Sequence, residues 1–197
     1  MRLEVTEEDF NRYRNIFNAY GLGSKTNIDY PLEQTGMKGN LVAGDLLLNF
    51  AIGQYDTYTP ISLLQYINTL ANYGNRYALR LKQENYNVFL NQIELESVYY
   101  DRITEGLYQD FHGGTATSYV NKKLNAVGKT GTSETFYDSD NDGVVDKEAI
   151  NSTVAFYYPR EDPRYSIVVV APFLTDDGNF MYPYTKNISL QITNYLT

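Results

Sequence analysis

The 197 residues carry a formal net charge of −8 and no cysteine, which argues against a nucleic-acid backbone as partner and excludes disulfides, zinc–thiolate sites and cysteine catalysis. Hydrophobic residues make up 43% of the chain, enough for a core. No stretch approaches the ~18 apolar residues of a membrane span, and Met1-Arg2-Leu3-Glu4-Val5 does not read as a signal peptide.

Thr6-Glu7-Glu8-Asp9 reads as a capping box. Phe10, Tyr13 and Phe17 follow at helical spacing, and Gly21 is placed to end the helix. Residues 21 to 58 hold many glycines and turn formers and read mainly as loop. Thr59 and Pro60 suit the N-cap and first position of a second helix. Its predicted buried face is Ile61, Leu64, Ile67 or Asn68, and Ala71, and Gly74 closes it. Residues 76 to 100 alternate weakly and read as strand or irregular chain. A short helix is predicted from Ile103 to Phe111, broken by Gly113-Gly114.

The last third is more regular. Val127 to Thr132 and Thr153 to Tyr158 are strand-like. Tyr165 to Ala171 is a continuous apolar run, as expected of a central strand covered on both faces. Arg160-Glu161-Asp162-Pro163 makes the turn of an antiparallel hairpin between the last two. Ile188, Ile192, Tyr195 and Leu196 form one apolar helical stripe, suited to packing across a sheet.

Two short segments carry chemistry. The first is Lys129-Thr130-Gly131-Thr132. A cation, a hydroxyl and a glycine in succession at the start of a strand can grip a carboxylate and let a peptide lie alongside. Taken alone, the plainer reading is a strand entry with a solvated lysine. The second is Asp138-Ser139-Asp140-Asn141-Asp142-Gly143-Val144-Val145-Asp146. Oxygens at positions 1, 3 and 5 with glycine at 6 match the start of an EF-hand calcium loop. Asp138, Asp140 and Asp142 would bind by side chain, Val144 by its carbonyl and Asp146 at the ninth position. Ala149 stands at the twelfth, where a bidentate glutamate is expected, and Glu148 is one residue off. A solvated acidic hairpin loop is the alternative. Any structural Ca2+ here would stiffen the loop beside the Lys-Thr-Gly strand; no cofactor is expected for catalysis.

Lys-Thr-Gly is one of three signature motifs of penicillin-binding proteins and serine β-lactamases. Further segments are similar to class B penicillin-binding proteins, in family order. They are Phe17 to Glu33 (FNAYGLGSKTNIDYPLE), Ala51 to Pro60 (AIGQYDTYTP), Leu70 to Asn75 (LANYGN), Gly114-Thr115-Ala116, Thr153 to Pro159 and Asp162 to Val170. Nearly the whole chain is covered. One departure is Tyr55, where the family has the last glycine of Gly-Gln-Gly. A side chain there restricts the allowed backbone angles.

The resemblance implies an α+β fold of the β-lactamase/transpeptidase type: an antiparallel sheet flanked by helices, here an incomplete domain. Residues 1–197 would be the C-terminal part of one transpeptidase domain. Its implied reaction is D,D-transpeptidation of peptidoglycan stem peptides ending in D-Ala-D-Ala, through a serine acyl-enzyme that β-lactams also form. Lys129 would supply positive charge, Thr130 a hydrogen bond to the substrate carboxylate, Gly131 room for the peptide, and the Thr132 N–H one of two oxyanion donors. The implied partners are stem peptides, β-lactams and an N-terminal half of the domain. The implied location is the extracytoplasmic face of the cell membrane, with any anchor outside these residues.

The nucleophile motif is absent. None of Lys25, Lys38, Lys82, Lys122, Lys123, Lys129, Lys147 and Lys186 has serine three residues before it. Ser139-Asp140-Asn141 has the Ser-x-Asn form but follows Lys-Thr-Gly, on the wrong side of the motif order. The chain alone is therefore expected not to react with penicillin. Two rivals remain: a β-lactam-hydrolysing or β-lactam-sensing relative, and a noncatalytic, calcium-stabilised binding or structural module. His112, the one histidine, reads as a surface-loop residue; Glu33 and Glu134 read as structural or solvated.

Overall fold

Local capping sets the first helix. In the computed structural model, which describes residues 4–175 and 183–197, the Asp9 carboxylate accepts from the Thr6 N–H and the Thr6 hydroxyl, both at 2.9 Å. That backbone hydrogen bond holds the Asp9 carboxyl below its usual range. Helix α1 (Glu7–Ala19) follows. It ends as predicted, with Gly21 in the left-handed region at φ +101° and the Leu22 N–H closing on the Phe17 carbonyl at 2.9 Å.

The chain divides into two compact units, Met1–Glu96 and Ser97–Thr197. In the first, the segment read as loop contains a further helix, α2 (Gly44–Ala51). It is eight residues long, and Ala43 offers no side-chain cap, so the flanking glycines masked it. What fixes it is Phe50, wholly buried. Its ring stacks on Phe10 at 5.9 Å and meets Phe17 edge-on at 5.2 Å. Tyr55 joins this cluster, 5.0 Å from the Phe10 ring, and its hydroxyl donates to the Leu41 carbonyl. Gly53, not Tyr55, takes the left-handed conformation nearby. The bulky residue at position 55 is therefore accommodated without backbone strain.

Beneath these rings lies a buried ion pair. The Arg14 Nε and Nη2 each reach an Asp56 carboxylate oxygen at 2.8 Å. Nη2 also donates to the Gly39 carbonyl at 2.9 Å, and the Gly39 N–H donates back to Asp56. The Asp56 hydrogen bond raises the Arg14 pKa further above its ordinary value.

Helix α3 (Pro60–Ala71) begins as predicted, with Thr59 Oγ1 accepting from the Ser62 N–H at 3.3 Å. Its buried face differs from the apolar stripe expected. Ile67 and Ala71 are buried, but Ile61 and Leu64 are only half-buried, while Ser62, Gln65 and Thr69 are fully buried. The polar atoms are satisfied. Gln65 donates to the Thr26 and Tyr77 carbonyls at 2.9 and 2.8 Å and accepts from Arg76 Nε at 2.8 Å. Glu33 is structural, receiving the Thr26 N–H and hydroxyl at 2.6 Å each. A small antiparallel pair, β1 (Asn75–Tyr77) and β2 (Phe89–Gln92), completes the unit.

The second unit carries α4 (Ser97–His112), β3 (Val127–Tyr137), β4 (Lys147–Tyr158), β5 (Tyr165–Leu174) and α5 (Tyr184–Tyr195). The strand–strand–strand–helix order follows Lys-Thr-Gly as predicted. Helix α4 extends six residues further toward the N-terminus than the Ile103–Phe111 segment, anchored by the buried Tyr100. The sheet has the order β3-β4-β5, antiparallel throughout. Helix, sheet and turns meet in one core built on Phe111, Ala116, Val120, Val154, Phe156 and Tyr158.

Two expectations about this unit are corrected. Strand β5 is not central: among the described residues it pairs only with β4, and just Val169 of its apolar run is buried. In α5, Ile192 and Leu196 pack on the core, but Ile188 is 42% and Tyr195 89% exposed. The fully buried positions are Thr185, Ser189 and Thr193. Their hydroxyls are used locally. Ser189 donates to the Tyr119 carbonyl at 2.8 Å, and Thr193 accepts the Asn121 N–H at 3.0 Å. A hydrophobic-stripe reading cannot see a helix face that docks through hydroxyls.

Candidate active-site wall

The Lys-Thr-Gly residues lie near the start of β3, in register with β4: Lys129 opposite Ala155, Thr130 opposite Val154, Gly131 opposite Thr153, Thr132 opposite Ser152. Among the described residues β3 pairs with no other strand. It is an edge strand, and a peptide can pair along such an edge by main-chain hydrogen bonds. Val127 and Gly128 are buried, Lys129 and Gly131 are exposed, and Thr130 is half-buried. The motif thus emerges from the core at its lysine.

The two neighbouring glycines differ sharply. A Cβ on Gly128 would stand 2.2 Å from the Ala155 carbonyl oxygen and 2.4 Å from the Phe156 Cβ, deep between β3 and β4. A Cβ on Gly131 would meet only the Thr153 Cβ at 3.9 Å, an ordinary contact. The fold itself therefore demands glycine at 128 and not at 131. Gly128→Ala is expected to cost about 3 kcal/mol by overpacking, and Gly131→Ala within about 0.5 kcal/mol, as at an ordinary surface position. Urea unfolding of the two variants followed by circular dichroism checks the contrast.

Helix α4 packs beside β3 and brings an acid to the motif that sequence reasoning missed. Lys129 Nζ lies 3.1 Å from Asp110 Oδ2 and 3.5 Å from Thr130 Oγ1. The Asp110 side chain is 12% exposed and that of Lys129 58%. Nineteen residues separate the pair, so no local spacing signals it. An open cavity of about 700 Å3 lies here, with Ile103, Gly106, Leu107, His112 and Lys129 among its lining residues.

His112 ends α4 rather than lying in a loop. Its ring stacks on Tyr108 at 3.8 Å, and Nδ1 lies 2.8 Å from the Tyr108 carbonyl. Arg160 covers Tyr108 at 4.6 Å and pairs with Glu105 at 2.7 Å. Hydrogen bonds from Gln109 and then Arg160 hold the Glu105 carboxyl below its usual range.

The acidic loop is elsewhere. Strands β3 and β4 run well past the predicted Thr132 and Thr153, to Tyr137 and Lys147. Eight residue steps at ~3.4 Å place the loop about 27 Å along the strand from Lys129. It adjoins the far end of the Lys-Thr-Gly strand rather than the motif itself. Oxygens of Asp138, Asp140 and Asp142 lie within 4.8 Å of one another. The Gly143 N–H bonds Asp138 at 2.8 Å and lowers its pKa.

Asp146 is committed differently. Its two oxygens take the Ser139 N–H at 2.9 Å and the Ser139 hydroxyl at 2.8 Å, and the former lowers its pKa. It therefore stands outside the carboxylate trio. Val144 is exposed, and Ala149 at the twelfth position is buried in β4. The loop fits the first half of a calcium loop and not the second. With its hydroxyl bound to Asp146 at the far end of β3, Ser139 is also not placed to serve the Lys-Thr-Gly motif.

Known proteins agree with this architecture. The family model of the penicillin binding protein transpeptidase domain matches residues 2–192. The chain belongs to that family. It is 35% identical to penicillin-binding protein 2A of Bacillus subtilis (strain 168), across 96% of this chain and 29% of that protein. It is 34% identical to penicillin-binding protein H of the same organism, across 89% of this chain and 27% of that protein. Penicillin-binding protein 2B from Streptococcus pneumoniae (strain R6) superposes with a TM-score of 0.82 at 28% identity, over all of this chain and 34% of that structure. The chain thus spans about a third or less of the length of these relatives. Among the described residues, no helix is long and apolar enough to cross a membrane.

Proposed function

We propose that these residues form the Lys-Thr-Gly wall of a peptidoglycan D,D-transpeptidase that penicillin inactivates. The observation that carries the reading is a Lys129–Gly131 edge strand whose exposed glycine is not required by its own fold. Room at 131 then serves a peptide lying along β3.

In the reaction, a serine from outside this chain attacks the penultimate D-Ala carbonyl of a stem peptide. An ester bond forms to the serine oxygen, the C–N bond to the terminal D-Ala breaks, and the serine proton ends on the departing amine. An amine of a second stem peptide then attacks the ester carbonyl; an amide forms, the ester C–O bond breaks, and a proton lost by that amine goes to the serine oxygen. Lys129 supplies positive charge for the substrate carboxylate and for proton movement. Thr130 hydrogen-bonds that carboxylate. The Thr132 N–H is one of two oxyanion donors, each worth about 3 kcal/mol in comparable acyl transfers.

β-Lactams acylate the same serine. The site faces the extracytoplasmic side of the membrane, and the N-terminal half of the domain supplies the nucleophile. The test is labelling of the full-length protein by a fluorescent penicillin. A stable serine adduct supports the reading; absence of any adduct refutes it, and rapid turnover of the drug moves the protein to the hydrolysing rival.

A structural Ca2+ in the 138–146 loop belongs to the same reading, supported by the three converging carboxylates. With only half a loop's ligands, affinity should be weak, no tighter than about 10⁻⁴ M. Calorimetric titration of this chain with Ca2+ checks it, and Asp140→Asn should abolish the heat; no heat at millimolar Ca2+ removes the site.

A further inference from the structure

We infer that Asp110 is a positioning residue for Lys129, delivering the lysine ammonium to the mouth of the cleft; the proposal rests on the transpeptidase reading above. Three observations carry it. The ion pair is short, 3.1 Å, and unequal: Asp110 is nearly buried while Lys129 is more than half exposed. The carboxylate is itself fixed. The Thr115 N–H bonds its Oδ1 at 3.2 Å, and the Ala116 N–H bonds the Asp110 carbonyl at 3.0 Å. Third, the turn that makes these contacts depends on Gly114, where a Cβ would lie 2.8 Å from the Asp110 Cα and 3.0 Å from its Oδ1.

Gly114-Thr115-Ala116 thus has a mechanical consequence. The glycine lets the chain fold back against the end of α4, and the Thr115 N–H sets the carboxylate. The carboxylate sets the lysine. Lysine has a long stem with much rotamer freedom. An exposed lysine held only by solvent would sample many positions. One anchored to a rigid acid keeps its charge in one place, and a charge must be in place before the reaction to stabilise what develops there. Asp110 need not touch substrate to do this. A lysine released from it should still attract a carboxylate but hold it in the wrong place.

The experiment is stopped-flow acylation of the full-length protein by benzylpenicillin, with Asp110→Asn and Asp110→Ser. The expected result is an acylation rate constant about 10- to 100-fold lower, with the dissociation constant of the initial noncovalent complex unchanged or tighter. A purely structural role would degrade both parameters together and lower the unfolding temperature. Wild-type acylation rates in both variants overturn the proposal. Loss of the folded state in both also overturns it, since Asp110 is then a structural residue. A wild-type protein that penicillin never acylates is a failure of the transpeptidase reading itself, and is told apart because it appears before any variant is made.

Discussion

Replacing Lys129 by alanine in the full-length protein should lower penicillin acylation by a factor of about 10²–10³, equivalent to about 3–4 kcal/mol of transition-state stabilisation. The size of the effect follows from where the residue sits. Lys129 is on an edge strand, exposed, with its ammonium at the cleft and, among the described residues, Asp110 and Thr130 as side-chain partners. Its side chain is more than half exposed, so the fold should survive its loss. The surviving Asp110 would be a nearly buried carboxylate without its cation, which costs something locally, but Thr115 still satisfies one oxygen. The check pairs two measurements: acylation kinetics, which should collapse, and thermal unfolding, which should move by only a few degrees. Lys129→Arg separates charge from shape. It restores the charge but presents a planar fork in place of a point donor, and should recover only part of the rate.

The second large effect is in the first unit. Asp56→Ala should destabilise the chain by about 3–5 kcal/mol, because it leaves the Arg14 guanidinium buried without its counter-charge. The side chains of the pair are 11% and 4% exposed. Asp56 accepts both Arg14 nitrogens and the Gly39 N–H, and thereby ties α1 to the segment before α2. The aromatic rings of Phe10, Phe50 and Tyr55 lie within 6 Å of the guanidinium carbon and cannot replace a carboxylate. Replacing the pair together, Arg14→Met with Asp56→Ala, should cost less than Asp56→Ala alone, since no uncompensated charge remains. Urea denaturation of the single and double variants measures the difference.

How much of this was visible in the sequence depended on the kind of signal. The Lys-Thr-Gly strand and the hairpin that follows were legible because β-branched runs and a turn punctuate them, and the terminal helix because Ile188, Ile192, Tyr195 and Leu196 recur at helical spacing. Thr6, Thr59 and Gly21 marked helix ends through chemistry that acts within three or four residues. Phe50 and its helix were hidden because eight residues between glycines carry too little periodicity. The polar faces of α3 and α5 were misread for a different reason. Gln65, Ser189 and Thr193 are buried by hydrogen bonding to backbone groups from other segments, which no hydropathy pattern encodes. Asp110 was the most consequential omission at the site. Its importance comes from a turn at Gly114 and a partner nineteen residues away, and both exist only once α4 packs against β3. The acidic loop was legible in its spacing, and Asp138, Asp140 and Asp142 do converge; what spacing could not show is that Asp146 accepts from Ser139 and that the length of β3 sets the loop at the far end of the strand from Lys129.

Mass spectrometry of the full-length protein after exposure to benzylpenicillin, with the adduct mapped by proteolysis, decides whether Lys129 to Thr132 serve a serine outside these residues. One penicilloyl group on a serine outside residues 1–197, and none on this chain incubated by itself, is the predicted result. An adduct on Ser139 or another residue of this chain, or no adduct on the full-length protein, would contradict the account.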